Sequence, residues 1–108
     1  MDRLEVLKTL LRLTTEAEEL APAAMGSERL RSIIGEIKRK AKMEHDRLRQ
    51  VRQPIMSRYQ LCMIGILEEF SFGKASWLNL TGLDARLRRI HEEIDRTIHE
   101  VKADRVIM

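Results

Sequence analysis

Histidines are the residues best suited to chemistry in this chain, and two of the three share a spacing with a carboxylate. His91, Asp95 and His99 recur at intervals of four. On a helix that spacing lines the donors up along one side, which can begin a metal site. A stable site needs a further ligand from elsewhere, and only Glu44, His45 and Asp46 offer themselves. Neither a Glu-x-x-His pair of the di-iron bundle type nor a His-Glu-x-x-His motif is present. The expectation is a solvated, ion-paired helix face, with no metal and no cofactor.

Each histidine is followed by an acid: His45-Asp46, His91-Glu92 and His99-Glu100. Such a neighbour suits a histidine that accepts a phosphoryl group. Over five residues, Ile90-His91-Glu92-Glu93-Ile94 resembles the helical H-box of sensor kinases, but it lacks the residues that normally follow. In a chain that is 34% charged, acids beside helical histidines arise from composition alone. Glu68-Glu69 is the other carboxylate pair, and consecutive residues on a helix point apart. With no Gly-rich phosphate loop and no nucleophile beside a placed base, the expectation is no enzyme and no small-molecule substrate.

Basic residues carry a stronger signal. Residues 27–58 hold ten basic and four acidic side chains, whereas the segments on either side are neutral or slightly acidic. Arg31, Lys38, Arg39, Lys40, Lys42, Arg47, Arg49 and Arg52 form a candidate surface for a polyanion or a partner protein. Phosphate backbones are drawn to such a segment. The same residues also surround an apolar seam, as the flanking charges of a helix pair do. A second candidate surface is the aromatic loop Phe70, Phe72 and Trp77, either the lid of a bundle core or a protein hot spot. Gly82 and the Leu83–Ile90 run are compatible with a helix-turn-helix, but the apolar positions fall one residue out of step.

These residues must be positioned by helices. Val6, Leu10, Leu13, Ala17 and Leu20 step four and three along a first helix, about 2–21, closed by Pro22 and Gly26. Ser27 is a candidate N-cap for a second, about 27–53. Its seam is Leu30, Ile34, Ile37, Ala41, Glu44, Leu48 and Val51, a seven-residue repeat with one polar member, Glu44. A carboxylate there needs a basic partner or an open end. Pro54 suits the first turn of a third helix, about 55–70, apolar almost all round and so expected at the centre. The last helix, about 81–106, has the seam Leu80, Leu83, Leu87, Ile90, Ile94, Thr97 and Val101. Its outer face offers the i,i+4 pairs Asp84–Arg88, Arg88–Glu92 and Glu92–Arg96.

The 108 residues, 44% apolar with two prolines, five glycines and 4% aromatics, suit one all-α domain. The expected architecture is an antiparallel bundle of about four helices, two of them long and heptad-patterned, completed by oligomerisation because a lone bundle leaves their seams partly uncovered. Arg31, Lys38 and Arg52 along one seam and Glu93 and Glu100 along the other fit an antiparallel pairing of the second and fourth helices. The lone Cys62, in an apolar stretch, is expected to be a buried thiol. Charges at Asp2, Arg3, Glu5, Lys8 and Arg12 interrupt any signal-peptide core, and no apolar run approaches the ~20 residues of a membrane span. The chain is therefore expected to be cytoplasmic and not a membrane protein. Its function is expected to be non-enzymatic: helical protein–protein interaction or assembly, self-associating as a coiled coil, most simply a dimer. The alternative is nucleic-acid binding or regulation through the basic helix, residues 29–58.

Overall fold

The computed structural model describes residues 3–21, 28–50, 57–70 and 83–107. Those residues form four helices: α1 (Arg3–Leu20), α2 (Glu28–Arg49), α3 (Arg58–Glu69) and α4 (Leu83–Ile107). No strand occurs among them. Each of α1 and α3 packs against both α2 and α4, so the helices run in chain order around a square. Contacts between ends show the alternating direction. Arg29 at the start of α2 pairs with Glu16 near the end of α1, and Tyr59 at the start of α3 bonds Glu44 near the end of α2. Glu69 at the end of α3 meets Arg89 near the start of α4. The result is an antiparallel four-helix bundle.

The interior is what the spacing of apolar residues dictates. Leu7, Leu10 and Ala17 of α1 are fully buried, as are Ile37 and Ala41 of α2, Cys62 and Met63 of α3, and Leu87 and Ile94 of α4. Two threonines join this core, each with its hydroxyl returned to a carbonyl four residues earlier: Thr14 to Leu10 and Thr97 to Glu93, both at 2.7 Å. That bond lets a polar side chain sit in an apolar layer without an unsatisfied donor.

Several boundaries and contacts differ from expectation. Helix α2 ends at Arg49 rather than Gln53, with Gln50 in a turn that donates to the Arg47 carbonyl at 3.3 Å. A proline ring clashes with the carbonyl four residues before it, and for Pro54 that residue is Gln50. Helix α3 starts at Arg58, not Ile55, because Ser57 caps it: its hydroxyl accepts from the Gln60 N–H at 3.2 Å. Nor is α3 central. Leu61 is 44% exposed and Ile64 and Leu67 are only half-buried, so the helix keeps an outer face. Helices α2 and α4 lie diagonally across the bundle, and the two acids expected to pair them, Glu93 and Glu100, instead hold Arg58 of α3.

Most described seam residues of the long helices are covered within the chain, with Glu44 and Val101 half-buried. Leu30, Ile34, Ile37, Ala41 and Leu48 are buried, as are Leu83, Leu87, Ile90, Ile94 and Thr97. The burial argument for oligomerisation does not follow from these positions. The bundle measures 44 × 25 × 21 Å, its long axis set by α4, which spans ~37 Å at ~1.5 Å per residue.

Candidate functional site

Helix geometry sorts the expected basic surface into three groups. Arg31, Lys38, Lys42 and Arg49 recur at seven, four and seven residues, which returns to one side of α2 at 3.6 residues per turn. All four are exposed, and so is Arg39, which lies next to them around the helix. Their side of α2 is opposite the one carrying Arg29, whose guanidinium meets Glu16 of α1 at 3.1 Å. Lys40 is half-buried on the flank nearer α1, and Arg47 is turned onto Glu44. Arg52 lies outside the described residues.

Among the described residues, no carboxylate comes within ion-pair distance of Lys38, Arg39, Lys40 or Arg49. Lys42 reaches Asp46 at 3.5 Å, with both side chains half-exposed or more. Three cations of α3 and α4 are anchored, whereas Lys8, Arg12, Arg88 and Lys102 are exposed with no ion pair among the described residues. Arg58 donates to Glu93 at 3.2 Å, and its Nε lies 3.6 Å from Glu100, a contact of charges rather than a hydrogen bond. Arg89 grips Glu69 through two bonds of 3.0 and 3.1 Å. The i,i+4 pairs expected along α4 do not form; Arg96 turns to Glu93 instead, at 3.6 Å.

Behind the basic face sits a polar node. Glu44 takes two hydrogen bonds from Arg47, at 3.0 and 2.9 Å, and one from the Tyr59 hydroxyl at 2.5 Å. Tyr59 is 1% exposed, and the Arg3 guanidinium stands 5.1 Å from its ring centroid. The Arg47 bonds hold the Glu44 carboxyl below its ordinary value; burial opposes them and the Tyr59 hydroxyl helps them. Burial first, then the bond to Glu44, pushes the Tyr59 phenol upward. Glu44 thus has the basic partner its seam position demanded. The tyrosine, from another helix, was not expected.

The histidine stripe is not assembled into a site. His91 Nδ1 is 2.5 Å from Glu18 of α1, while Asp95 and His99 are exposed. No group of three or more His, Cys, Asp or Glu side chains that could hold a metal occurs among the described residues. His45 encloses its Nδ1 without a hydrogen-bond partner. Cys62 is fully buried, and burial raises its thiol to about 11, with the Thr97 hydroxyl acting in the opposite direction. Phe70 caps α3 and is buried, as a core lid should be; Phe72 and Trp77 lie outside the described residues.

Shallow surface grooves run between helices among the described residues. One, between α3 and α4, has Ile66 and Ile90 as its floor and Glu68, Glu69, Glu92 and Arg89 on its walls. Another, between α1 and α2, is walled by Arg12, Glu16, Arg29 and Glu36. Both are open and mixed in charge, and neither brings a nucleophile to a base. None of the described helices is long and apolar enough to cross a membrane. No family profile, no curated protein and no solved structure matches this chain.

Proposed function

We propose that this chain is a non-enzymatic helical binding protein that meets a polyanionic partner with the outward face of α2. A cytoplasmic setting is part of this reading and accords with the buried, unpaired Cys62. The observation that carries it is the contrast between cations. Arg29, Arg47, Arg58 and Arg89 are each committed to carboxylates of the bundle, whereas Lys38, Arg39 and Arg49 stand exposed without one. Like charges left side by side raise the cost of folding, and an acidic partner relieves that repulsion.

Elution from a sulfated polysaccharide column tests the reading. The native chain is expected to need a higher salt concentration than the Lys38→Ala, Arg39→Ala, Arg49→Ala variant. Equal elution of the two would sink it.

A second reading, an assembly subunit that self-associates, is favoured by two apolar side chains on the outside, Met43 at 65% and Leu61 at 44% exposure. Light scattering that finds a strict monomer at high concentration would remove it.

A further inference from the structure

We infer that the partner is the phosphate backbone of duplex nucleic acid, engaged without regard to base sequence. This deepens the reading above and rests on it. Four observations narrow the polyanion to this class.

The first is shape. Arg31, Lys38, Lys42 and Arg49 form a straight row, and the 18 residues between its ends span ~27 Å at ~1.5 Å per residue. Such a row suits an extended array of charges; a duplex carries one phosphate per ~3.4 Å of its axis on each strand, and because the strands wind around that axis the row would meet only a few of them.

The second is the lack of an apolar centre. Protein interfaces centre on apolar and aromatic anchors and are depleted in lysine. The row and Arg39 are all exposed cations, with Gly35 and Asp46 between them, and Met43 is at the border of the face. An acidic helix docking here would have only Met43 to bury. Nucleic-acid interfaces, by contrast, are strongly positive and polar.

The third argues against insertion into a lipid surface. A membrane-bound amphipathic helix inserts its apolar side, and that side of α2, Leu30 through Leu48, is closed inside the bundle.

The fourth favours duplex over single strand. Single strands are held by bases stacking on exposed aromatic rings, and the aromatic side chains among the described residues, Tyr59 and Phe70, are buried. The face also carries none of the Asn or Gln side chains that read adenine edges in the major groove.

Fluorescence anisotropy on the full chain decides the matter, using two unrelated duplexes of about 16 base pairs, twice the length of the face. The matching single strand and polyglutamate serve as the other two probes. The two duplexes are expected to bind within about threefold of each other and more tightly than the single strand. The logarithm of affinity should fall with the logarithm of salt at a slope of about −3 to −5, for up to five phosphate contacts. Lys38→Ala, Arg39→Ala, Arg49→Ala should flatten that slope by about 2.7 and weaken binding more than tenfold. Lys8→Ala, Arg12→Ala, Lys102→Ala removes the same charge elsewhere on the surface and should leave affinity within about threefold. Thermal melts confirm that both variants fold.

Duplex binding that survives the α2 variant, or falls equally in the control variant, overturns both the inference and the reading it rests on. Binding of polyglutamate but not duplex, lost in the α2 variant, overturns the inference and leaves the reading standing. Tighter binding of the single strand overturns the choice of duplex. No binding of any probe at about 50 mM salt, where backbone contacts are strongest, ends both.

Discussion

The hydroxyl of Tyr59 donates to Oε2 of Glu44 at 2.5 Å, and this bond ties α3 to α2 at the end of the bundle where α1 begins. A carboxylate in the seam is tolerable because three donors reach it, two from Arg47 and one from Tyr59. Tyr59→Phe removes one donor without changing the volume of the core. A hydrogen bond to a charged group is worth about 1.5 kcal/mol or more, so urea denaturation should show a loss of about 1.5 kcal/mol. A loss below a few tenths of a kcal/mol would mean that water already satisfies Glu44.

The same carboxylate makes stability depend on pH. Its folded-state value lies below the ordinary 4.5, chiefly because of Arg47. Such a group contributes stability that is present above 4.5 and lost as pH falls through the folded value, because the unfolded chain takes up the proton first. Glu44→Gln keeps an acceptor for Tyr59 but has no proton to take up. Melting temperatures measured from about pH 6 to 3 should therefore decline less steeply for Glu44→Gln than for the native chain. Parallel curves would place the acid sensitivity in other carboxylates.

How far the sequence specified this node shows where sequence reasoning stops. The four-three stepping of apolar residues located the first, second and last helices, because burial of one face is a property of each helix alone, whereas the third was found from a nearly continuous apolar run that hid its outer face. Arg47 stands three residues from Glu44 on the same helix, so that partner was within reach of the spacing. Tyr59 was not, because the register between α2 and α3 is set by packing across the bundle. The start of α3 was available but missed: Ser57-x-x-Gln60 has the form of a capping box, and Pro54 drew the boundary earlier. The basic face was half visible. Its seven-four-seven row is in the sequence, but which cations stay free depends on Glu16 of α1 taking Arg29 and Glu44 turning inward with Arg47.

Cys62 offers a probe of opening. Its thiol is fully buried and raised to about 11, so near pH 8 little thiolate exists and none is accessible in the folded chain. Labelling by an aromatic disulfide should be slow in the native state and reach the rate of a free thiol once urea unfolds the bundle. Immediate labelling without denaturant would show that α3 detaches from α4 readily.

Core and surface apolar residues should separate sharply. Ile94 is fully buried, and Ile94→Ala leaves a cavity among α1, α3 and α4 that typically costs about 2–5 kcal/mol. Leu61→Ala removes a side chain that is 44% exposed and should cost less than about 1 kcal/mol. Comparable costs at the two sites would mean that Leu61 is covered in solution, as the self-associating alternative requires, and the Leu61 effect would then vary with protein concentration.

Gly35 separates folding from binding most directly. It lies mid-helix among Arg31, Lys38, Arg39 and Lys42, and a Cβ added there meets nothing within 4 Å. Any ordinary side chain should stabilise α2, by about 0.5–1 kcal/mol relative to glycine. Glutamate and lysine have nearly equal helix propensities, but lysine would be repelled by Arg31 and Arg39, so Gly35→Glu should raise the melting temperature and Gly35→Lys should raise it less or not at all. Glutamate adds up to about 0.5 kcal/mol per pair through Arg31 and Arg39, one turn away on either side. On binding the two must diverge. Lysine adds a cation to the row and should steepen the salt dependence by about 0.9 on logarithmic axes; glutamate repels phosphate and should weaken affinity. Because Gly35→Glu gains stability, its reduced binding could not be ascribed to unfolding. Equal affinities for the two would show that the outward face of α2 does not meet the polyanion.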